Sequence, residues 1–316
     1  MLQSSQYSPF RHLLAIKDLN KNQLETIFSM ADEYFKGGEI INRPVLKSIK
    51  VANLFFEPST RTRVTFEIAA KSLSADVINL NIDSSSTKKG EGLIDTLQNL
   101  EMMGIKIFVI RHSNNGAAHF FARYTKEGNS VINAGDGSHE HPTQALLDMA
   151  VLRKYRGDFE NMKVAIVGDV LHSRVARSQI HALKILGTKD IRVIAPNTLV
   201  PNDIESMGVQ FFQSLEEGLN GVNVILCLRL QRERMATGLI PSEKEFFKLY
   251  GISSKSLPYA DKDALVLHPG PVNRGIEIAS DVVDGRQSVI LNQVTQGIAV
   301  RMAVMTLCQS QSIIPS

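Results

Sequence analysis

The sequence predicts an α/β fold: two doubly wound, parallel-sheet domains of similar size, linked by helices. Three observations carry that expectation. The 316 residues exceed the roughly 100–200 of an ordinary single domain. Short β-branched apolar runs alternate with stretches of helical period, the pattern of parallel strands covered on both faces. The alternation also restarts near Pro142, with no Pro/Gly-rich linker, low-complexity tract or long internal repeat.

In the first half, strands are expected over 51–56, 76–82, 105–110 and 130–134. Helices are expected over 63–73, 92–103 and 116–124, the second marked by Leu93, Leu97, Leu100 and Met103 on one face. A helix over 142–155 leads into the second half. Its strands are 163–167, 190–195, 209–212, 222–228 and 264–267, with helices over 175–186 and 242–250 among them. The last helix, 294–308, carries Val294, Ile298, Met302 and Met305 as an apolar stripe and is expected to pack back on the first domain. The domains are therefore set at 1–142 with 295–316, and at 143–294, flexing about helices and sharing one cleft.

Composition narrows the class. A hydrophobic content of 43% excludes a disordered chain, and a formal charge of +3 argues against nucleic-acid binding by bulk electrostatics. Val224–Leu228 is typical of the longest apolar runs, far below the roughly 20 residues that span a bilayer. No secretory signal stands at the N-terminus, and Cys227 and Cys308 are too few for a disulfide framework or a thiolate metal site. A cytoplasmic protein without membrane or nucleic-acid partners is expected.

In open α/β sheets, ligands bind beyond the carboxyl ends of the strands. The first strand runs into Glu57-Pro58-Ser59-Thr60-Arg61-Thr62-Arg63, directly before a helix. Ser59 and Thr60 suit an N-cap, and the orphan N–H groups of a helix start favour anions. With Arg61 added, the segment suits a phosphate; an ordinary capped helix with solvated arginines is the plain alternative. No Walker A pattern occurs, so a nucleoside triphosphate is not implied. Ser84-Ser85-Ser86-Thr87-Lys88-Lys89-Gly90-Glu91-Gly92 reads first as a solvated turn, from which Lys88 or Lys89 could swing onto an anion. Arg111 ends the third strand, facing the cleft or lying on the surface. After the fourth strand, His141 precedes Pro142 at a helix start, with Gln144 three residues on. The positive potential there would lower the His141 pKa and favour a neutral imidazole that donates a hydrogen bond. His139, Glu140 and His141 are adjacent and would point in different directions, so no metal is expected.

In the second half, Gly168-Asp169 follows a strand but lacks the G-x-G-x-x-G dinucleotide fingerprint. Arg174 opens the next helix. Arg229 and Gln231 follow the fourth strand of this half, in a run that also reads as a solvated helix start. His268-Pro269-Gly270-Pro271 forms a rigid turn whose carbonyls lack nearby N–H partners and can accept bonds from a ligand. Together these ends suit a phosphate in the first half and carboxylates on Arg174 and Arg229 in the second.

These residues resemble a known family. Phe55-Phe56-Glu57-Pro58-Ser59-Thr60-Arg61-Thr62-Arg63 and His141-Pro142-Thr143-Gln144 are similar to the aspartate/ornithine carbamoyltransferases, and the likeness runs through nearly the whole chain. Thr87-Lys88-Lys89-Gly90-Glu91, the run Arg229–Arg234 and His268-Pro269-Gly270-Pro271 look like the aspartate branch; the ornithine branch typically has a cysteine in an H-C-L-P motif there, whereas this chain has Gly270 and both its cysteines lie elsewhere. The resemblance implies that Ser59, Thr60, Arg61 and Thr62 hold the phosphate of carbamoyl phosphate. Arg111, His141 and Thr62 would polarise its carbonyl, and Gln144 with the carbonyls of Gly270 and Pro271 would orient the carbamoyl NH2. Of these, Arg61, Thr62, Arg111 and His141 are the implied catalytic residues. Lys89, Arg174, Arg229 and Gln231 would bind L-aspartate. The resemblance further implies a homotrimer, alone or within a larger assembly, in which the serine-lysine loop reaches a neighbour's site; Ser85 aligns best with the loop serine. It implies a cis Gly270–Pro271 bond and no cofactor or metal. Another amine substrate such as ornithine, or a non-catalytic anion-binding subunit, are the alternatives.

Overall fold

The computed structural model describes residues 10–81, 92–232 and 238–313. The chain divides into two compact units, residues 1–147 with 294–316 and residues 148–293.

In unit 1, α1 (Lys21–Tyr34) starts with a reciprocal capping box between Asn20 and Gln23. A small hairpin of β1 (Phe35–Lys36) and β2 (Glu39–Ile40) follows. Then come β3 (Lys50–Phe55), α2 (Thr60–Ser72), β4 (Asp76–Asn81), α3 (Leu93–Met102), β5 (Ile105–His112), α4 (Ala117–Tyr124) and β6 (Ser130–Asp136). The four longer strands form a parallel sheet in the order β4-β3-β5-β6. Every residue from Val51 to Phe55 is buried, as a strand covered on both faces requires. Alternate positions give one face: Ala52, Leu54, Phe108 and Ile110 pack with Leu97 and Leu100 of α3 and Phe121 of α4.

Helix α5 (Pro142–Arg156) carries the chain into unit 2. There follow β7 (Lys163–Val167), α6 (Arg174–Leu186), β8 (Asp190–Ile194), β9 (Gln210–Phe212), α7 (Leu215–Leu219), β10 (Val224–Cys227), α8 (Glu243–Tyr250), β11 (Leu265–Leu267) and α9 (Ser280–Val283). The second parallel sheet has the order β11-β10-β7-β8-β9. Ala165, Val167, Ile225, Cys227 and Val266 pack there with Leu215, Leu219, Phe246 and Tyr250. Burial pushes the Cys227 thiol far up, so it stays protonated as an apolar core group.

Helix α10 (Ile290–Ile313) returns to unit 1 and contacts α1 and α2. The Tyr34 hydroxyl bonds Thr306 Oγ1 at 2.9 Å, and the Arg301 guanidinium lies 5.0 Å from the Phe66 ring centroid. The fold class is therefore the expected α/β with two parallel sheets. Details differ. Val294 is exposed rather than part of a buried stripe, because α10 is enclosed on nearly all sides from Ala299 to Cys308. Met103 is also exposed, since α3 has ended before it. Strands β5 and β6 run two residues past their expected ends, because a register shift after Ile110 re-pairs His112 with Asp136.

Each sheet reverses its strand order once, and ligands of open α/β sheets favour those reversal points. In unit 1 the point lies between β3 and β5; in unit 2 it lies between β7 and β10.

Candidate active site

The unit 1 reversal point carries the expected phosphate segment. Helix α2 begins at Thr60, three residues before the expected start, so Thr60, Arg61 and Thr62 occupy its first turn. Ser59 is the N-cap residue, but its side chain makes no cap hydrogen bond, which leaves the hydroxyl for another acceptor or donor. Thr60 and Arg61 are exposed and Thr62 half-buried.

Arg111 sits beside this helix start. Its Nε pairs with Glu57 Oε1 at 2.8 Å, and a terminal nitrogen donates to Ala134 O at 3.2 Å. The Phe56 amide donates to Arg111 O at 2.9 Å. These bonds tie the ends of β3, β5 and β6 together and settle the sequence alternative: Arg111 is held at the strand ends, not splayed on the surface. His112, next along, accepts the Asn114 amide on Nδ1 at 2.9 Å, and burial lowers its pKa. Beyond β6, His141 and Gln144 are buried at the start of α5, where His141 O accepts the Gln144 amide at 3.0 Å.

Asp136 organises this turn. Its carboxylate accepts the Gly116 amide at 2.7 Å, Asn133 Nδ2 at 2.8 Å and the Glu140 amide at 3.2 Å, and lies 3.1 Å from His139 Nδ1. Burial alone would raise its pKa, but the bonds from His139, Asn133 and Gly116 outweigh that and hold the carboxyl below the usual range.

The unit 2 reversal point places Arg174, Arg229 and Gln231. Arg174 is buried as the first residue of α6, whose N-cap Ser173 accepts the Ala176 amide at 3.1 Å. Arg229 follows the end of β10, half-buried, with Gln231 two residues on. Asp169 joins the two strand ends: it accepts the Gln231 amide at 3.2 Å and lies 2.8 Å from His172 Nδ1. Gly168 before it has φ +123°, and a Cβ there would lie 3.0 Å from Leu228 O, so only glycine fits this close approach. Arg232 pairs with Glu243. Glu233 and Arg234 of the family-like run lie outside the described residues, as do Ser84–Ser86, Lys88 and Lys89 of the serine-lysine loop.

The proline turn after β11 is cis at Gly270–Pro271, as the resemblance implies. No backbone N–H among the described residues donates to the carbonyls of Gly270 or Pro271. His268 Nδ1 accepts the Gly270 amide at 2.8 Å, so the neutral ring carries its proton on Nε2, 3.1 Å from Glu277 Oε1. Glu277 Oε1 also accepts the Asn273 amide at 2.6 Å. Gln293 Oε1 accepts the His268 amide at 3.0 Å while its Nε2 donates to Asp148 at 2.6 Å, and Gln179 donates to the same carboxylate at 2.6 Å. Glu57, Asp136, Asp169, Glu277 and Gln293 escaped the sequence reading. Glu57 lies within a quoted motif and Asp136 and Asp169 each follow a strand-end glycine, but the partners that show their roles, Arg111, Gly116 and Gln231, are distant in the chain.

Two α/β units, each with a parallel sheet and with Arg and hydroxyl side chains at its strand ends, define the class of protein, and neither carries the G-x-G-x-x-G dinucleotide fingerprint. Residues 11–154 match the carbamoyl-phosphate-binding domain of the aspartate/ornithine carbamoyltransferases, and residues 160–308 match their aspartate/ornithine-binding domain. The chain belongs to this family, whose members transfer a carbamoyl group from carbamoyl phosphate to an amino acid. Both branches occur among similar solved structures. Aspartate transcarbamoylase from Trypanosoma cruzi, in complex with carbamoyl aspartate and phosphate, is 26% identical with a TM-score of 0.83, covering 97% of this chain and 99% of that one. Ornithine carbamoyltransferase from Pyrococcus furiosus is 25% identical with a TM-score of 0.82, covering 94% and 96%. That from Thermus thermophilus, 23% identical with a TM-score of 0.83 and covering 96% and 100%, shares the fold.

Proposed function

We propose that the amino acid is L-aspartate, so that the chain makes N-carbamoyl-L-aspartate and phosphate, a step of de novo pyrimidine (UMP) biosynthesis in the cytoplasm. The observation that carries this reading is the pair Arg174 and Arg229 at the unit 2 reversal point. Guanidinium forks suit two carboxylates, whereas ornithine would bring a second amine into a cationic site. The turn His268-Pro269-Gly270-Pro271, which lacks the cysteine of the ornithine branch's H-C-L-P motif, points the same way.

On this reading, residues 1–142 with 295–316 form the carbamoyl-phosphate domain and 143–294 the aspartate domain. Ser59, Thr60, Arg61 and Thr62 hold the phosphate. Thr62, Arg111 and His141 donate to the carbonyl oxygen as it becomes an oxyanion. Gln144 and the carbonyls of Gly270 and Pro271 orient the carbamoyl NH2. The neutral α-amine attacks the carbamoyl carbon; the new C–N bond forms and the C–O bond to phosphate breaks. A departing phosphate oxygen is placed to take the amine proton. Phosphate is already a good leaving group, so positioning and oxyanion stabilisation supply the catalysis. Lys89 and Gln231 complete the aspartate set, Lys89 being supplied by a neighbour in a homotrimer.

Product formation with aspartate and with ornithine tests the substrate: turnover of aspartate alone is expected, and turnover of ornithine alone overturns the reading. His141→Ala is expected to lower kcat by about 10²–10³-fold, the usual loss for one oxyanion donor. Arg229→Ala should act chiefly on the aspartate KM. Lys89→Ala and Arg61→Ala chains, each inactive, should regain activity when re-formed as mixed trimers.

A further inference from the structure

The turn between β6 and α5 carries chemistry that carbamoyl transfer does not use. His119 projects from the first turn of α4, and its ring lies edge-on to that of His139, with centroids 5.7 Å apart. His119, Asp136 and His139 each bring one ligand-capable atom to within 4.8 Å of the other two. Asp18 Oδ2 lies 3.7 Å from His119 Nε2, adding a fourth ligand-capable atom at the rim. These groups come from the N-terminal segment, α4 and the β6–α5 turn, all within unit 1. Of the neighbours His139, Glu140 and His141 only His139 belongs to this group; His119 reaches it from another helix.

We propose that His119, Asp136 and His139 form a binding site for a divalent transition-metal ion of the zinc class, with Asp18 as a further ligand. Two imidazoles and a carboxylate suit Zn2+ or Co2+, whereas Mg2+ and Ca2+ prefer all-oxygen shells. Zinc–nitrogen and zinc–oxygen bonds of about 2.0–2.2 Å place tetrahedral ligand atoms roughly 3.3–3.5 Å apart. The site must therefore contract by about 1 Å. Asp136 is the fixed anchor, since backbone amides from Gly116 and Glu140 hold it. The two imidazoles are the moving parts, with side chains 39% and 28% exposed for His119 and His139. Occupancy would brace the turn two residues before His141 without placing the metal in the transfer reaction.

The test uses chelator-stripped wild-type protein titrated with ZnCl2 by calorimetry and with CoCl2 by visible absorption. The expected result is one ion per chain, a four-coordinate cobalt ligand-field spectrum and no competition from MgCl2. His119→Ala leaves the Asp136 hydrogen bonds in place and should weaken zinc binding by at least about 100-fold, as should His139→Ala. His172→Ala, which removes the corresponding histidine of unit 2, should leave the stoichiometry and affinity unchanged. No saturable binding to wild type, or equal affinity in His119→Ala and wild type, overturns the proposal. Carbamoyl transfer in His119→Ala should match wild type without metal, so the result is read independently of the substrate assignment.

Discussion

Asp136 in unit 1 and Asp169 in unit 2 occupy equivalent places. Each follows a glycine of positive φ at the end of a parallel strand, +115° at Gly135 and +123° at Gly168. Each is buried and meets a histidine three residues on through Nδ1. Each accepts a backbone amide from a neighbouring segment, Gly116 or Gln231. The units thus fix their strand-end turns with one local device, Gly-Asp-x-x-His. The difference lies in what surrounds it. Asp136 has two further donors, Asn133 and Glu140, and a second histidine from α4. Among the described residues, that is the one group of three metal-capable side chains. The comparison teaches that a turn-fixing carboxylate becomes a candidate ligand site through its neighbours, not through its own motif.

The largest effect that could break the comparison is on stability. Asp136→Ala is expected to cost about 3–5 kcal/mol, because it strips the partner from half-buried His139 and from the Gly116, Asn133 and Glu140 donors. Asp169→Ala, with fewer donors left behind, should cost about 2–3 kcal/mol. Urea unfolding of both variants measures this, and equal costs would show that the extra donors of Asp136 contribute nothing. Next, Gly168→Ala should destabilise by roughly 2 kcal/mol through strain at positive φ. It should also raise the KM of the amino-acid substrate more than that of carbamoyl phosphate, since the added methyl presses on Leu228, next to Arg229. An unchanged KM ratio would separate the Gly168 turn from the amino-acid site.

The smallest effect concerns a histidine held by an amide instead of a carboxylate. His12 Nδ1 accepts the Val131 amide at 3.0 Å, and burial, with the Arg11 charge, lowers its pKa to about 4. The unfolded chain binds that proton below about pH 6.5, so stability is full above this pH and falls as the pH drops towards 4. From about pH 7 to pH 5 the loss should be near 1 kcal/mol after allowing for the ring's partial exposure. His12→Asn, whose Oδ1 can accept the same amide, should flatten that slope in pH-dependent melting curves.

Strands were legible because parallel strands are largely continuous apolar runs, as Val224–Leu228 is and as Val51–Phe55 is but for Asn53. Their ends were legible because Ser59–Thr62, Arg111 and His141 stand out against the apolar background. The spatial order was not, since nothing local says that the chain leaving β4 crosses β3 to pair β5 with its other edge. The carboxylates Asp136, Asp169 and Glu277 read as ordinary loop acids, because their meaning depends on amides at Gly116, Gln231 and Asn273. The α10 stripe held at Met302 and Met305 but not at Val294, because the helix is enclosed only from Ala299 onward and its first turns are partly exposed.

The route of α10 has a consequence for how the chain comes into being. Unit 2 is drawn from one uninterrupted stretch, whereas unit 1 is closed by residues made more than 140 positions after the rest of it, between Leu147 and Val294. On the ribosome, Tyr34 waits for Thr306, and Ser130 for Cys308 and Gln309, long after their own strand and helix have emerged. The later-encoded unit can therefore be the first to mature, with the earlier one kept open until its final helix is delivered.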